Sequence, residues 1–158
     1  MRVRDDATEK AIAAIKGAGG KVERDEKADG KPVTVVYFGA SQAGDDVLPN
    51  LKGFDKLQKL TLNGTKVTDE GLDNLKDLKS LKKLYLVDTK VTDAGLERLK
   101  GLTELRVLSL AGTGVTDAGL DHLKPLEHLE EVFLAGTKVS DDGVKKLKEA
   151  MPKLKVDR

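Results

Sequence analysis

The apolar residues of this chain return in the same order every 24 positions. Leu57, Leu81, Leu105 and Leu129 each open the pattern L-x-x-[LV]-x-L-x-x-T, written out as LQKLTLNGT, LKKLYLVDT, LRVLSLAGT and LEEVFLAGT. The copies continue as KVTDEGL, KVTDAGL, GVTDAGL and KVSDDGV. A fifth, degenerate copy precedes them, because Val33, Val36, Phe38, Ser41, Asp45, Leu48, Leu51 and Phe54 stand 24 residues before Leu57, Leu60, Leu62, Thr65, Asp69, Leu72, Leu75 and Leu78. Within each copy the apolar spacing changes from two to three. Leu60 and Leu62 alternate with Lys59, Thr61 and Asn63, which predicts a short strand with one buried face. Leu72, Leu75 and Leu78 then form one stripe of a short helix, which Thr68 or Asp69 is placed to cap.

A unit of this size cannot bury its leucines alone, so the copies must stack, strands beside strands and helices beside helices. Helices are about 10 Å wide and strands about 4.8 Å apart, so the sheet lines the concave side. The ends read as caps. DATEKAIAAIKGAGG predicts a helix from Asp6 to about Gly20 with Ile12 and Ile15 on one side. Val22 to about Arg24 is placed to pair with the strand Val33 to Phe38 across the polar DEKADG turn. A last helix is expected around Val144 to Ala150, followed by MPKLKV, where the repeat slips by one residue. The expected organisation is one domain, 1–158: a cap helix and strand over 1–32, five repeats over 33–152 and a terminal end over 153–158.

These segments resemble those of bacterial leucine-rich-repeat proteins, especially a planctomycete-like group with recurring GTxVTDAGL, and more distantly the ribonuclease-inhibitor-like horseshoes. The resemblance implies an α/β fold, a right-handed solenoid with a parallel concave sheet and convex helices. It also implies a binding scaffold, without naming a partner. One position departs from the family pattern: where many leucine-rich repeats carry Asn, this chain has Thr65, Thr89, Thr113 and Thr137, with Ser41 in the first copy. A hydroxyl there can still bond the backbone as the chain leaves the strand.

Composition narrows the function. With 28 Lys and Arg against 27 Asp and Glu, the net charge is +1, so no global field gathers nucleic acid. Cysteine is absent, which excludes disulfides, thiolate metal sites and cysteine nucleophiles. MRVRDDATEK is no signal peptide and no apolar run is long enough to span a membrane, so a soluble protein without membrane insertion is expected. Its compartment is left open, extracytoplasmic if a leader has been removed.

The column Asp45, Asp69, Asp93, Asp117, Asp141 superficially suggests calcium. Each residue sits at a helix entrance, however, where a carboxylate caps N–H groups and favours the dipole, so capping is the expectation. His122 and His128 fall in columns that tolerate any polar residue and are read as surface histidines. No nucleophile, base or phosphate-cradling loop emerges, so neither catalysis nor a cofactor is expected.

The concave columns differ from the rest. Inward positions stay aliphatic, while Val35, Lys59, Lys83, Val107, Glu131 and Tyr37, Thr61, Tyr85, Ser109, Phe133 vary. Three of the five aromatic residues fall in the second column, on alternate strands, with small Thr61 and Ser109 predicted to leave recesses between them. Phe38 and Phe54 are inward. Lys59, Lys82, Lys83 and Arg106 cluster on the earlier strands, and Glu127, Glu130 and Glu131 lie at the later end. The expected function is a non-catalytic, monomeric scaffold that binds a protein or peptide and no nucleic acid, through Tyr37, Lys59, Thr61, Lys83, Tyr85, Ser109, Glu131 and Phe133. The alternatives are a structural or spacer module of a larger assembly and a designed consensus-like repeat.

Overall fold

The computed structural model describes residues 2–158, with side chains from Asp6 onward. Among these residues the strands form one seven-stranded sheet in sequence order. Strand β1 (Lys21–Arg24) runs antiparallel to β2 (Val33–Tyr37). From β2 onward all pairs are parallel, through β3 (Lys59–Thr61), β4 (Lys83–Tyr85), β5 (Val107–Ser109), β6 (Glu131–Phe133) and β7 (Lys155–Asp157). Val36, Leu60, Leu84, Leu108, Val132 and Val156 are paired in one row, each 24 residues after the last. The sheet lines the concave side of an open solenoid, and helical segments form the convex layer.

Helix α1 spans Arg2–Gly17. It starts four residues before the Asp6 start read from the sequence, because the charged residues ahead of Asp6 carry no helix-breaking backbone restriction. Ile12 and Ile15 face the core as predicted. Three of the convex segments, Asp45–Leu51, Gly71–Leu75 and Asp117–Leu123, are tighter 3-10 helices, while α2 (Asp93–Arg98) and α3 (Asp141–Ala150) are α-helical. Leu72 and Leu75, three apart, lie on one side of their 3-10 helix, where such side chains eclipse. Its rise of about 2.0 Å per residue, against about 1.5 Å, also lets a few residues cover the convex side.

The inward residues of each repeat make one continuous core. Leu57, Leu60, Leu62, Val67, Leu72 and Leu75 are fully buried, as are their counterparts Leu81, Leu84, Leu86, Val91, Leu96 and Leu99. At the last repeat the leucine does slip, with Leu154 buried one position late. The strand itself keeps phase, pairing Glu131 with Lys155 and Phe133 with Asp157. The terminal end therefore carries the sheet forward by one further strand.

The hydroxyl column closes the turns. Thr65, Thr89, Thr113 and Thr137 each donate to the carbonyl of the leucine three residues earlier, at 2.6–2.8 Å. The residue just before each threonine takes positive φ, and in three copies it is Gly64, Gly112 or Gly136. The fourth copy has Asp88 at φ 54°.

The aspartate column does not cap its own helices. Asp45 Oδ1 and Oδ2 accept from the N–H and hydroxyl of Thr68, in the next repeat, at 2.8 and 2.6 Å. Asp69 does the same with Thr92, Asp93 with Thr116 and Asp117 with Ser140. Capping falls instead to the preceding hydroxyl in two copies: Thr116 accepts from the Ala118 N–H and Ser140 from the Gly143 N–H. Stacking brings the next repeat's donors within reach of a carboxylate whose own helix is too short to compete. Asp141, in the last copy, pairs with Arg158.

Candidate functional site

The parallel register assembles both concave columns. Val35, Lys59, Lys83, Val107 and Glu131 are cross-strand neighbours, and so are Tyr37, Thr61, Tyr85, Ser109 and Phe133. The structure also extends each column. Glu23 and Lys155 flank the first, Lys21 and Asp157 the second. Adding 24 to Glu131 and Phe133 finds Lys155 and Asp157 in the sequence; Lys21 and Glu23 come from the antiparallel pairing and carry no repeat signal.

Tyr37 is the exposed large hydrophobic residue of the described chain, at 47% of its full accessibility. Its ring leans along the strand over Gly39, whose missing side chain makes room for it. Tyr85 and Phe133 are half-buried. The recesses predicted at Thr61 and Ser109 are closed, since each residue is only 5% exposed. A ring on either side, about 4.8 Å away across each strand pair, is wide enough to cover a small side chain. The column thus carries three rings on alternate strands, with the two hydroxyl residues largely covered between them.

Charges on this face are matched at one end and unmatched at the other. Arg106 Nη1 lies 2.6 Å from Glu130 Oε1, and Lys155 Nζ lies 3.6 Å from Glu131 Oε1. The acidic end expected from the sequence is therefore largely neutralised. Lys59 Nζ sits over the Tyr85 ring, 5.7 Å from its centroid.

The histidines lie off this face. His122 is half-buried on the convex side, and exposed His128 has Nδ1 3.0 Å from the Thr103 carbonyl and 3.8 Å from Glu104 Oε1. Glu104 is the acidic neighbour of His128, and the pair lies on the surface. Among the described residues, no three histidines or carboxylates converge as a metal site would require.

Residues 56–76 and 77–100 match the family described as Leucine Rich repeat. The fold is a leucine-rich-repeat solenoid. Solved leucine-rich-repeat structures superpose on it. The leucine-rich-repeat ectodomain of the receptor kinase SOBIR1 from Arabidopsis thaliana aligns with 96% of this chain and 91% of its own, at TM-score 0.63 and 18% identity. An internalin from Listeria monocytogenes aligns over 70% of this chain at TM-score 0.58 and 21% identity; the alignment spans 30% of the internalin. The TLR13–ssRNA13 complex gives TM-score 0.53 at 23% identity, over 80% of this chain and 16% of the other. Comparison with the curated proteins finds no match. Among the described residues no helix is long and apolar enough to cross a membrane.

Proposed function

We propose that the concave sheet face is a non-catalytic recognition surface for a protein or peptide, carried by Tyr37, Lys59, Thr61, Lys83, Tyr85, Ser109, Glu131 and Phe133. The observation that carries this reading is the aromatic column. The inward row of the same strands is uniformly Leu or Val, whereas the outward row holds Tyr37, Tyr85 and Phe133 on alternate strands. Rigid aromatic side chains on a preformed sheet offer large contact area at small entropic cost, the composition that dominates binding hot spots. Leucine-rich-repeat chains commonly act as protein-interaction scaffolds, and the recurring GTxVTDAGL-type segments are our reason for reading this one as bacterial. In this reading 1–158 acts as a single, monomeric unit, with 1–32 as its cap. One structural neighbour is a complex with ssRNA13, but a net charge of +1 gives no general attraction for a polyphosphate here.

The test is a partner captured with the wild-type protein and titrated by calorimetry against folded Tyr85→Ala/Phe133→Ala. Binding should weaken by about 2–4 kcal/mol, the scale of central aromatic hot spots. Unchanged affinity would move the site to the convex side or to the loops around Lys66, Lys90 and Lys138.

A further inference from the structure

The lysines at the start of β3 and β4 repel one another with no carboxylate paired to them among the described residues. Lys59 and Lys83 are directly opposite in the register of adjacent strands, and both are exposed. The Gln58 carbonyl accepts from the N–H groups of both Lys82 and Lys83, at 2.8 and 3.0 Å, so exposed Lys82 emerges beside them. Like charges directly opposite on paired strands are destabilising. Among the described residues none of the three lysines forms an ion pair. Protection of a sheet edge, one common use of lysine in strands, does not apply to strands in the interior of the sheet. Only Lys59 has a compensating contact, the Tyr85 ring, and a locally unfavourable arrangement of this kind points to function.

The three lysines border a hollow of about 400 Å³ that Val35 and Gln58 also line and that Asp25 bounds. We propose that this hollow receives one or two carboxylate side chains from an acidic, extended peptide segment of the partner. The inference rests on the concave face being the recognition surface and specifies the chemistry recognised there. The lysines without an ion pair sit together on two adjacent strands, with Asp25 bounding the hollow on one side, while beyond Val107 Arg106 and Lys155 are already taken by Glu130 and Glu131. A short acidic stretch matches a patch of this size. A nucleic-acid backbone, charged at every nucleotide, calls for a longer run of unpaired cations than these three lysines offer. The Tyr85 ring that now holds the Lys59 ammonium offers the flanking residues of such a peptide an apolar neighbour.

The experiment selects phage-displayed random dodecapeptides on the full chain and titrates the recovered peptides, made synthetically, against four proteins. These are wild type, Lys59→Gln/Lys83→Gln, Tyr85→Ala/Phe133→Ala, and Lys66→Gln/Lys90→Gln as a loop control. Recovered peptides should be rich in Asp and Glu, lose about tenfold in affinity on the Lys59/Lys83 variant, weaken with salt and ignore the loop control. Lys83→Gln alone should raise the melting temperature by relieving repulsion. Peptides that are not acidic, or that respond to the aromatic pair but not the lysine pair, overturn this inference and leave the concave-face reading standing. Peptides indifferent to both pairs, or no enrichment at all, overturn both. An oligothymidylate of the same length that binds more tightly through the same lysines overturns the acidic-peptide assignment.

Discussion

The carboxylate of Asp69 accepts the backbone N–H of Thr92 at 2.7 Å and its hydroxyl at 2.5 Å, across a repeat boundary. The same two-bond link joins each pair of consecutive repeats from Asp45 to Ser140, so these aspartates tie the stack together on the side away from the sheet. Thr92→Val keeps the shape of the side chain and removes one charge-assisted bond. It should cost about 1–2 kcal/mol in a denaturant melt, and Asp69→Ala should cost more because the Thr92 N–H then also loses its partner. Equal stability of all three proteins would show that the link contributes nothing.

Asp117 gives that link a pH signature. The hydroxyl of Ser140, then its N–H, hold the Asp117 carboxyl below the usual carboxylate range. A carboxyl depressed in the folded state contributes stability that is complete above the unfolded pKa, near 4, and is lost as pH falls through the lower folded value. Ser140→Ala removes the larger of the two causes. Its melting temperature should therefore fall less steeply than that of wild type on acidification below about pH 4. Parallel curves in thermal melts from about pH 7 down to 2 would contradict this.

Gly143 leaves space for the same carboxylate. A Cβ built there would overlap Asp117 Oδ1 and approach its Cγ, although the backbone of α3 is ordinary at this position. In a free helix alanine would be preferred over glycine by about 1 kcal/mol. Gly143→Ala should therefore destabilise the wild type but stabilise the Asp117→Ala variant. A double-mutant cycle reads this reversal of sign directly. Additive effects would separate the glycine from the aspartate.

Leu84 and Tyr85 test the strand register. Leu84 is fully buried in the centre of the sheet, so Leu84→Asp places a charge among leucines and should cost several kcal/mol, on the order of the whole stability margin. Tyr85→Ala, one residue on, should cost clearly less, though not nothing, because the side chain is partly covered. Circular-dichroism melts showing equal losses would place the inward face elsewhere.

The 24-residue pattern determined the architecture of this protein on its own. Inward positions, strand register and the two concave columns were all legible, because a repeat of fixed length leaves stacking only one phase that buries every leucine. The spacing of Leu72, Leu75 and Leu78 announced a short helix in each repeat, but not which copies are 3-10 and which α-helical. What the tertiary structure alone decided concerns contacts between repeats. The sequence shows Asp and Thr beside each other in VTD, which suggests a local cap. Only stacking reveals that Asp69 reaches Thr92 instead of its own helix, and that Gly143 is small to make room for Asp117. The closing of the recesses at Thr61 and Ser109, the neutralisation of Glu130 and Glu131, and the isolation of Lys59, Lys82 and Lys83 have the same origin. Periodicity fixes which way each side chain points, but how far a ring leans or which charge it meets depends on neighbours a full repeat away.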